Sequence, residues 1–154
     1  MEMTQLSLRL PPPQFPLPSQ SGIDWLDDRF LNLMSDLRPY GGMLPVEDVR
    51  SIGFVRRADM SIGEALIRRD LFVVSWRYRM WLPMFQFRMP GWEISNNAAE
   101  IAGLLFPLLQ GFELTEWFVT ASPWLGEKCP VELLEEHPAQ VRHAAQADRF
   151  LLAG

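Results

Sequence analysis

The sequence predicts an α+β fold that is mainly helical, and three observations carry that reading. Apolar residues recur at helical spacing through several segments, from residues 23–37 near the start to 138–152 near the end. One stretch, 71–87, is instead dense in apolar, β-branched and aromatic residues and reads as a β-hairpin. Serine, proline and glycine punctuate the helical pattern into short units, which suits a C-terminal helical bundle with the hairpin packed against it. With 154 residues, 48% of them hydrophobic, the chain suits one domain over 21–154 after a tail over 1–20. Residues 90–154 form the helical part of that domain.

The elements follow in order. Pro11, Pro12, Pro13, Pro16 and Pro18 fix φ and remove donors, so residues 1–20 read as an extended or disordered tail, or as an arm for a proline-binding groove. Ile23, Leu26, Phe30, Leu33, Met34 and Leu37 share one helical face. Ser21 or Asp24 starts that helix and Pro39 stops it. Tyr40-Gly41-Gly42 is a loop, and Pro45 opens a short helix to Val49. Ser61 with Glu64 three residues on makes a capping box for a helix to about Arg68. Two strands follow, with Pro83 restricting the second to an edge or a late start, and with Arg77 and Arg79 on one face opposite Tyr78 and Met80. Pro90-Gly91 is a turn. Ser95 or Asn96 caps a helix to about Leu109, kinked or ended by Pro107. Residues 113–120 form the next helix, broken at Ser122-Pro123-Trp124-Leu125-Gly126. A proline opens each of the last two helices, over 130–136 and 138–152.

Composition limits the function. The net charge of −5 opposes sequence-independent nucleic-acid binding by the whole chain, because phosphate neutralisation needs clustered cations. Charge is unevenly spread. Residues 56–88 hold Arg56, Arg57, Arg68, Arg69, Arg77, Arg79 and Arg88 against three acids, whereas 89–154 holds nine acids against Lys128, Arg142 and Arg149. The arginines, interleaved with Trp76, Tyr78 and Trp81, keep open an alternative in which the chain is a nucleic-acid-binding regulator. An exposed strand face whose arginines discourage edge pairing is the simpler account. Six tryptophans and ten phenylalanines demand an aromatic core, an aromatic contact surface, or both. One cysteine excludes an internal disulfide. No apolar run is long enough to span a membrane and no secretory signal is visible, so a cytoplasmic, bacterial protein is expected.

Catalytic chemistry is hard to place. His137 and His143 are six residues apart and do not share a helical face, so no metal site is expected. Cys129, His137 and Glu132 are the only compact nucleophile–base set, with a helix start that would lower the thiol's pKa. A free cysteine is more often a small buried hydrophobe. Glu135 and Glu136 point different ways on a helix and read as a solvated face. Neither a phosphate loop nor a dinucleotide fingerprint is present. The chain therefore reads as no enzyme, with no cofactor.

The sequence Trp117-Phe118-Val119-Thr120-Ala121-Ser122-Pro123-Trp124-Leu125-Gly126, followed by Cys129-Pro130-Val131-Glu132-Leu133-Leu134, resembles the toxin-binding domain of the Xre/MbcA/ParS antitoxin family. That family shows a helix, a short loop with Leu-Gly-Gly, a Pro-Leu-Glu-Leu-Leu element and a last helix, on which Val141, Ala144, Ala145 and Phe150 would lie here. Trp81-Leu82-Pro83-Met84-Phe85-Gln86-Phe87 is similar to a strand upstream of this domain in a subgroup of such proteins. The resemblance covers about half the chain. The family's second glycine is Glu127 here, and its later glycine-rich stretch is Glu135-Glu136-His137-Pro138. No Xre-type DNA-binding domain is seen, which puts autoregulation in doubt. The resemblance implies a non-catalytic module that sequesters a RES-type, NAD-consuming toxin, and it leaves homo-oligomerisation open. Trp124, Leu125, Glu127, Arg149 and Phe150 are the expected partner contacts. Gly126, Pro130, Leu133 and Leu134 are the expected framework. An acidic tail over 148–154 is expected to enter a pocket built for a phosphate-bearing substrate.

Overall fold

Helix α1 (Gln20–Leu37) buries Phe30, Leu33 and Leu37, as its apolar spacing predicts. The computed structural model describes residues 20–52 and 61–154, so the proline-rich stretch before Gln20, together with Arg56 and Arg57, lies outside the described residues. A 3₁₀ turn, Arg38–Tyr40, follows with Pro39 inside it, and Gly42 N donates to Leu37 O at 2.9 Å to close the helix. The next element is a strand, β1 (Met43–Pro45), and helix α2 (Val46–Ile52) starts after it. Pro45 thus ends a strand instead of opening a helix. That is tolerable because β1 is an edge strand, where a missing N–H leaves no ladder partner unmet. Helix α3 (Ile62–Ile67) starts as expected, with Ser61 Oγ accepting from Glu64 N at 3.1 Å.

The hairpin exists, but its turn lies inside the expected second strand. Strand β2 (Val74–Trp76) pairs antiparallel with β3 (Arg79–Pro83), and Arg77 and Tyr78 are the two loop residues, at φ +47° and +62°. Arg77 and Tyr78 therefore do not sit on opposite faces of a strand. β1 pairs with the other side of β3, with Met43 opposite Pro83, so β3 is the centre of the sheet β1-β3-β2 and Pro83 is its last residue. The chain leaves the sheet there through a 3₁₀ turn, Met84–Gln86. Two short strands, β4 (Phe87–Arg88) and β5 (Glu93–Ile94), then pair around the Pro90-Gly91 turn.

Helix α4 (Asn96–Leu105) is capped by Ser95, whose Oγ accepts from Ala98 N. It ends before Pro107 and does not reach Leu109, since a proline there cannot donate into a further turn. Then come α5 (Gly111–Val119), a 3₁₀ turn (Pro123–Leu125), α6 (Pro130–Leu133) and α7 (Pro138–Ala153). The architecture is α+β and mainly α. No helix among the described residues is long and apolar enough to cross a membrane.

Two apolar cores hold these elements. The larger joins α1, α4, α5, α6, α7 and β2 around Phe118, whose ring centroid lies 4.8 Å from Phe85, 5.2 Å from Trp117 and 5.8 Å from Phe72. The smaller packs α2 and α3 on β3 through Val49, Ile62, Ala65, Leu71 and Leu82. Gln86, in the 3₁₀ turn, is buried and its amide is bonded: Nε2 donates to Phe72 O and Pro83 O, and Oε1 accepts from Phe72 N. A buried amide so satisfied fixes the chain's path without an orphaned dipole.

Candidate partner-docking surface

The loop between α5 and α6 is a closed turn. Ser122 N donates to Lys128 O at 3.0 Å, and Leu125 N and Glu127 N both donate to Ser122 O at 3.0 Å. Gly126 and Glu127 both take left-handed backbone, at φ +62° and +66°. Glycine does so freely, whereas a residue with a Cβ does so under strain. Leu125 tucks into the core and Trp124 stands 49% exposed. Pro130 opens α6, Glu132 Oε2 accepts from Cys129 N at 2.7 Å, and Leu133 and Leu134 are buried.

Helix α7 lies beside this loop. Val141, Ala144 and Ala145 bury one face of it against α4. Asp148, one turn further, accepts from two indoles at once: Trp117 Nε1 at 2.8 Å and Trp124 Nε1 at 3.0 Å. This carboxylate fastens the exposed Trp124 to α5 and α7 and fixes the orientation of both rings. Beyond it, after the exposed Arg149, the helix carries three successive large apolar residues. Phe150 is 81% exposed, Leu151 65% and Leu152 52%. A shallow groove of about 430 Å³ runs between α5 and the end of α7.

The expected contact residues separate accordingly. Trp124, Glu127, Arg149 and Phe150 lie at the surface, and the helix and loop bring Trp124 and the end of α7 together through Asp148. Leu125 belongs to the core and is not part of the exposed face. The end of α7 is not an acidic probe: between 148 and 154 the only acidic side chain is Asp148, and both its oxygens are engaged by tryptophans. The sequence placed Trp117 only in the resembling motif, and Asp148, Leu151 and Leu152 only within the 148–154 tail, without the indole bridge or the apolar groove. Three successive apolar residues at the end of an otherwise amphipathic helix were the signal available for Leu151 and Leu152.

The arginines of the hairpin are engaged within the chain. Arg77 Nε and Nη2 both donate to the Asp27 carboxylate, which also accepts from Trp76 Nε1 at 3.0 Å. Arg79 donates to Glu47 at 2.8 and 3.0 Å, and a backbone hydrogen bond together with Arg79 holds that carboxyl below its usual range. Arg69 covers the Phe106 ring at 4.0 Å. Arg88 lies 3.8 Å from Glu135, which also accepts from Ser95 Oγ at 2.5 Å and Asn97 Nδ2 at 3.2 Å. Glu135 is thus a tie between α6 and the start of α4, not merely a solvated group.

Burial and the neighbouring Glu132 push the Cys129 thiol's pKa up, opposite to the lowering expected at a helix start, and Sγ donates to Val119 O at 3.2 Å. The reason is local: α6 is a single turn, so its dipole is small and Glu132 sits at its mouth. His137 is exposed.

The chain matches no known family model, and no curated protein or solved structure resembles it significantly.

Proposed function

We propose that this chain is a non-catalytic protein-binding module of the antitoxin type, which sequesters a protein toxin in the bacterial cytoplasm by covering its active site. The observation that carries the reading is the end of α7. Phe150, Leu151 and Leu152 stand exposed within one turn of Asp148, the residue that holds Trp124, and exposed large apolar side chains gathered at one helix end mark sites of macromolecular contact. Trp124, held in place by Asp148, has the rigidity and size of an interface anchor.

Two further observations favour the Xre/MbcA/ParS resemblance. Glu127 occupies the position where that family has its second glycine, and it adopts the left-handed backbone that glycine favours. The Pro130–Leu134 element buries its leucines and opens on its proline, as that family's Pro-x-x-Leu-Leu element requires. The partner class implied is a RES-type toxin that consumes NAD. The nucleic-acid reading is weaker, because Arg77, Arg79 and Arg88 face carboxylates of the same chain.

Co-expression with the product of the adjacent gene tests this. Co-purification of the two proteins, with the cellular NAD pool preserved, is the expected result. Undiminished NAD loss in the presence of excess chain would remove the antitoxin reading.

A further inference from the structure

The groove between α5 and α7 is lined by apolar side chains, Trp117, Leu151 and Leu152 among them, and by the acidic Glu113, Glu116 and Asp148. At Glu116 and Thr120 it meets a second groove along α1, whose walls include Asp28 and Asp36. Across the two, five carboxylates face one guanidinium. That cation, Arg29, already donates to Glu116 at 2.5 and 2.8 Å and lies 3.5 Å from Glu113. Arg149 is on α7 but does not line the groove.

This pattern discriminates among occupants. An acidic segment or an anionic membrane surface would be repelled. A wholly apolar segment would cover the apolar lining but strip water from Glu113 and Glu116, whose two charges share the one Arg29 guanidinium. We infer that the α5–α7 groove seats a basic amphipathic helix of the protein partner, an inference that rests on the docking reading above. Apolar residues at helical spacing would lie on Trp117, Leu151 and Leu152, and flanking lysines or arginines would reach Glu113, Glu116 and Asp148.

The test titrates the full chain with a synthetic amphipathic helix of leucine and lysine, and with its leucine–glutamate counterpart, following tryptophan fluorescence. The leucine–lysine helix is expected to bind and the leucine–glutamate helix to fail at the same concentrations. Leu152→Ser and Glu113→Gln should each weaken binding by roughly tenfold. The pair Glu93→Gln and Glu136→Gln, on exposed carboxylates outside the groove, should not. Equal weakening by that pair would show general charge attraction and overturn the inference. So would equal binding of the acidic helix, or a dimer of the chain in sedimentation that Leu152→Ser dissolves, which would place a second copy in the groove. Co-purification of the adjacent gene's product without any binding of the leucine–lysine helix overturns this occupant and leaves the docking reading intact. Binding of that helix without such co-purification upholds the occupant and removes the proposed partner.

Discussion

At the hairpin, Trp76 stacks on Phe30 at 4.0 Å with rings nearly parallel, its N–H donates to Asp27, and Arg77 covers its outer face at 4.8 Å. At the end of α7, Phe150, Leu151 and Leu152 stand more than half exposed, one turn past a carboxylate that ties down two tryptophans. The sequence points to both regions for their charge, the hairpin for its arginines and the end of α7 as an expected acidic tail. Trp76, Arg77 and Arg79 of the hairpin are matched within the chain, although Tyr78 stands fully exposed at its turn and the buried Trp81 N–H has no partner among the described residues. The groups at the end of α7 are matched only as far as Asp148. A dense cluster of charge is therefore a poor guide to a binding surface, because opposite charges from distant segments can neutralise it. Apolar groups left exposed beside a rigidly held ring are a better one.

Substitutions separate the two regions by size of effect. Trp76→Ala should cost about 3 kcal/mol in urea denaturation, through the lost stacking on Phe30 and the lost indole donor to Asp27, whereas Leu151→Ser should stay within about 0.5 kcal/mol. Comparable losses at both sites would erase the distinction. Asp148→Asn should cost about 1 kcal/mol and change the tryptophan emission, since a neutral amide oxygen can satisfy only part of what a carboxylate gives two indoles. Glu127→Gly should instead stabilise the fold by about 1 kcal/mol in thermal unfolding, by relieving the left-handed strain at φ +66°. The smallest effect is expected at Arg79→Gln, where both partners are exposed and solvent screens the pair. Its sign can be followed by pH. The Glu47 carboxyl is held below its usual range in the folded chain, so its contribution is present above the ordinary carboxylate range and is lost as pH falls through the folded value. The difference between wild type and Arg79→Gln should shrink in acid.

Much of the helical framework was legible in the sequence. The apolar face of α1, the Ser61 and Ser95 caps, and the prolines that open α6 and α7 are local signals, set by neighbours three or four residues away. The strands were not all legible. β1 has three residues and β4 and β5 two each, too few to show a period, and β1 owes its existence to β3, nearly forty residues along the chain. The hairpin turn was hidden because Arg77 and Tyr78 occupy left-handed positions that Asn-Gly usually fills, so no turn residue announced it. In the candidate site, Trp124, Glu127, Arg149 and Phe150 were readable as surface residues. The core position of Leu125 and the bridging of two indoles by Asp148 depend on how α7 lies against the loop, which no local pattern encodes.

The central claim is that the end of α7 binds a partner and does not hold the fold together. The direct measurement pairs Phe150→Ser and Leu151→Ser in one full-length chain and compares it with the wild type, for thermal unfolding and for rescue of growth against the adjacent gene's product. The account predicts an unchanged melting temperature and lost rescue. Full rescue by the doubly substituted chain, or its unfolding at a markedly lower temperature, would contradict it.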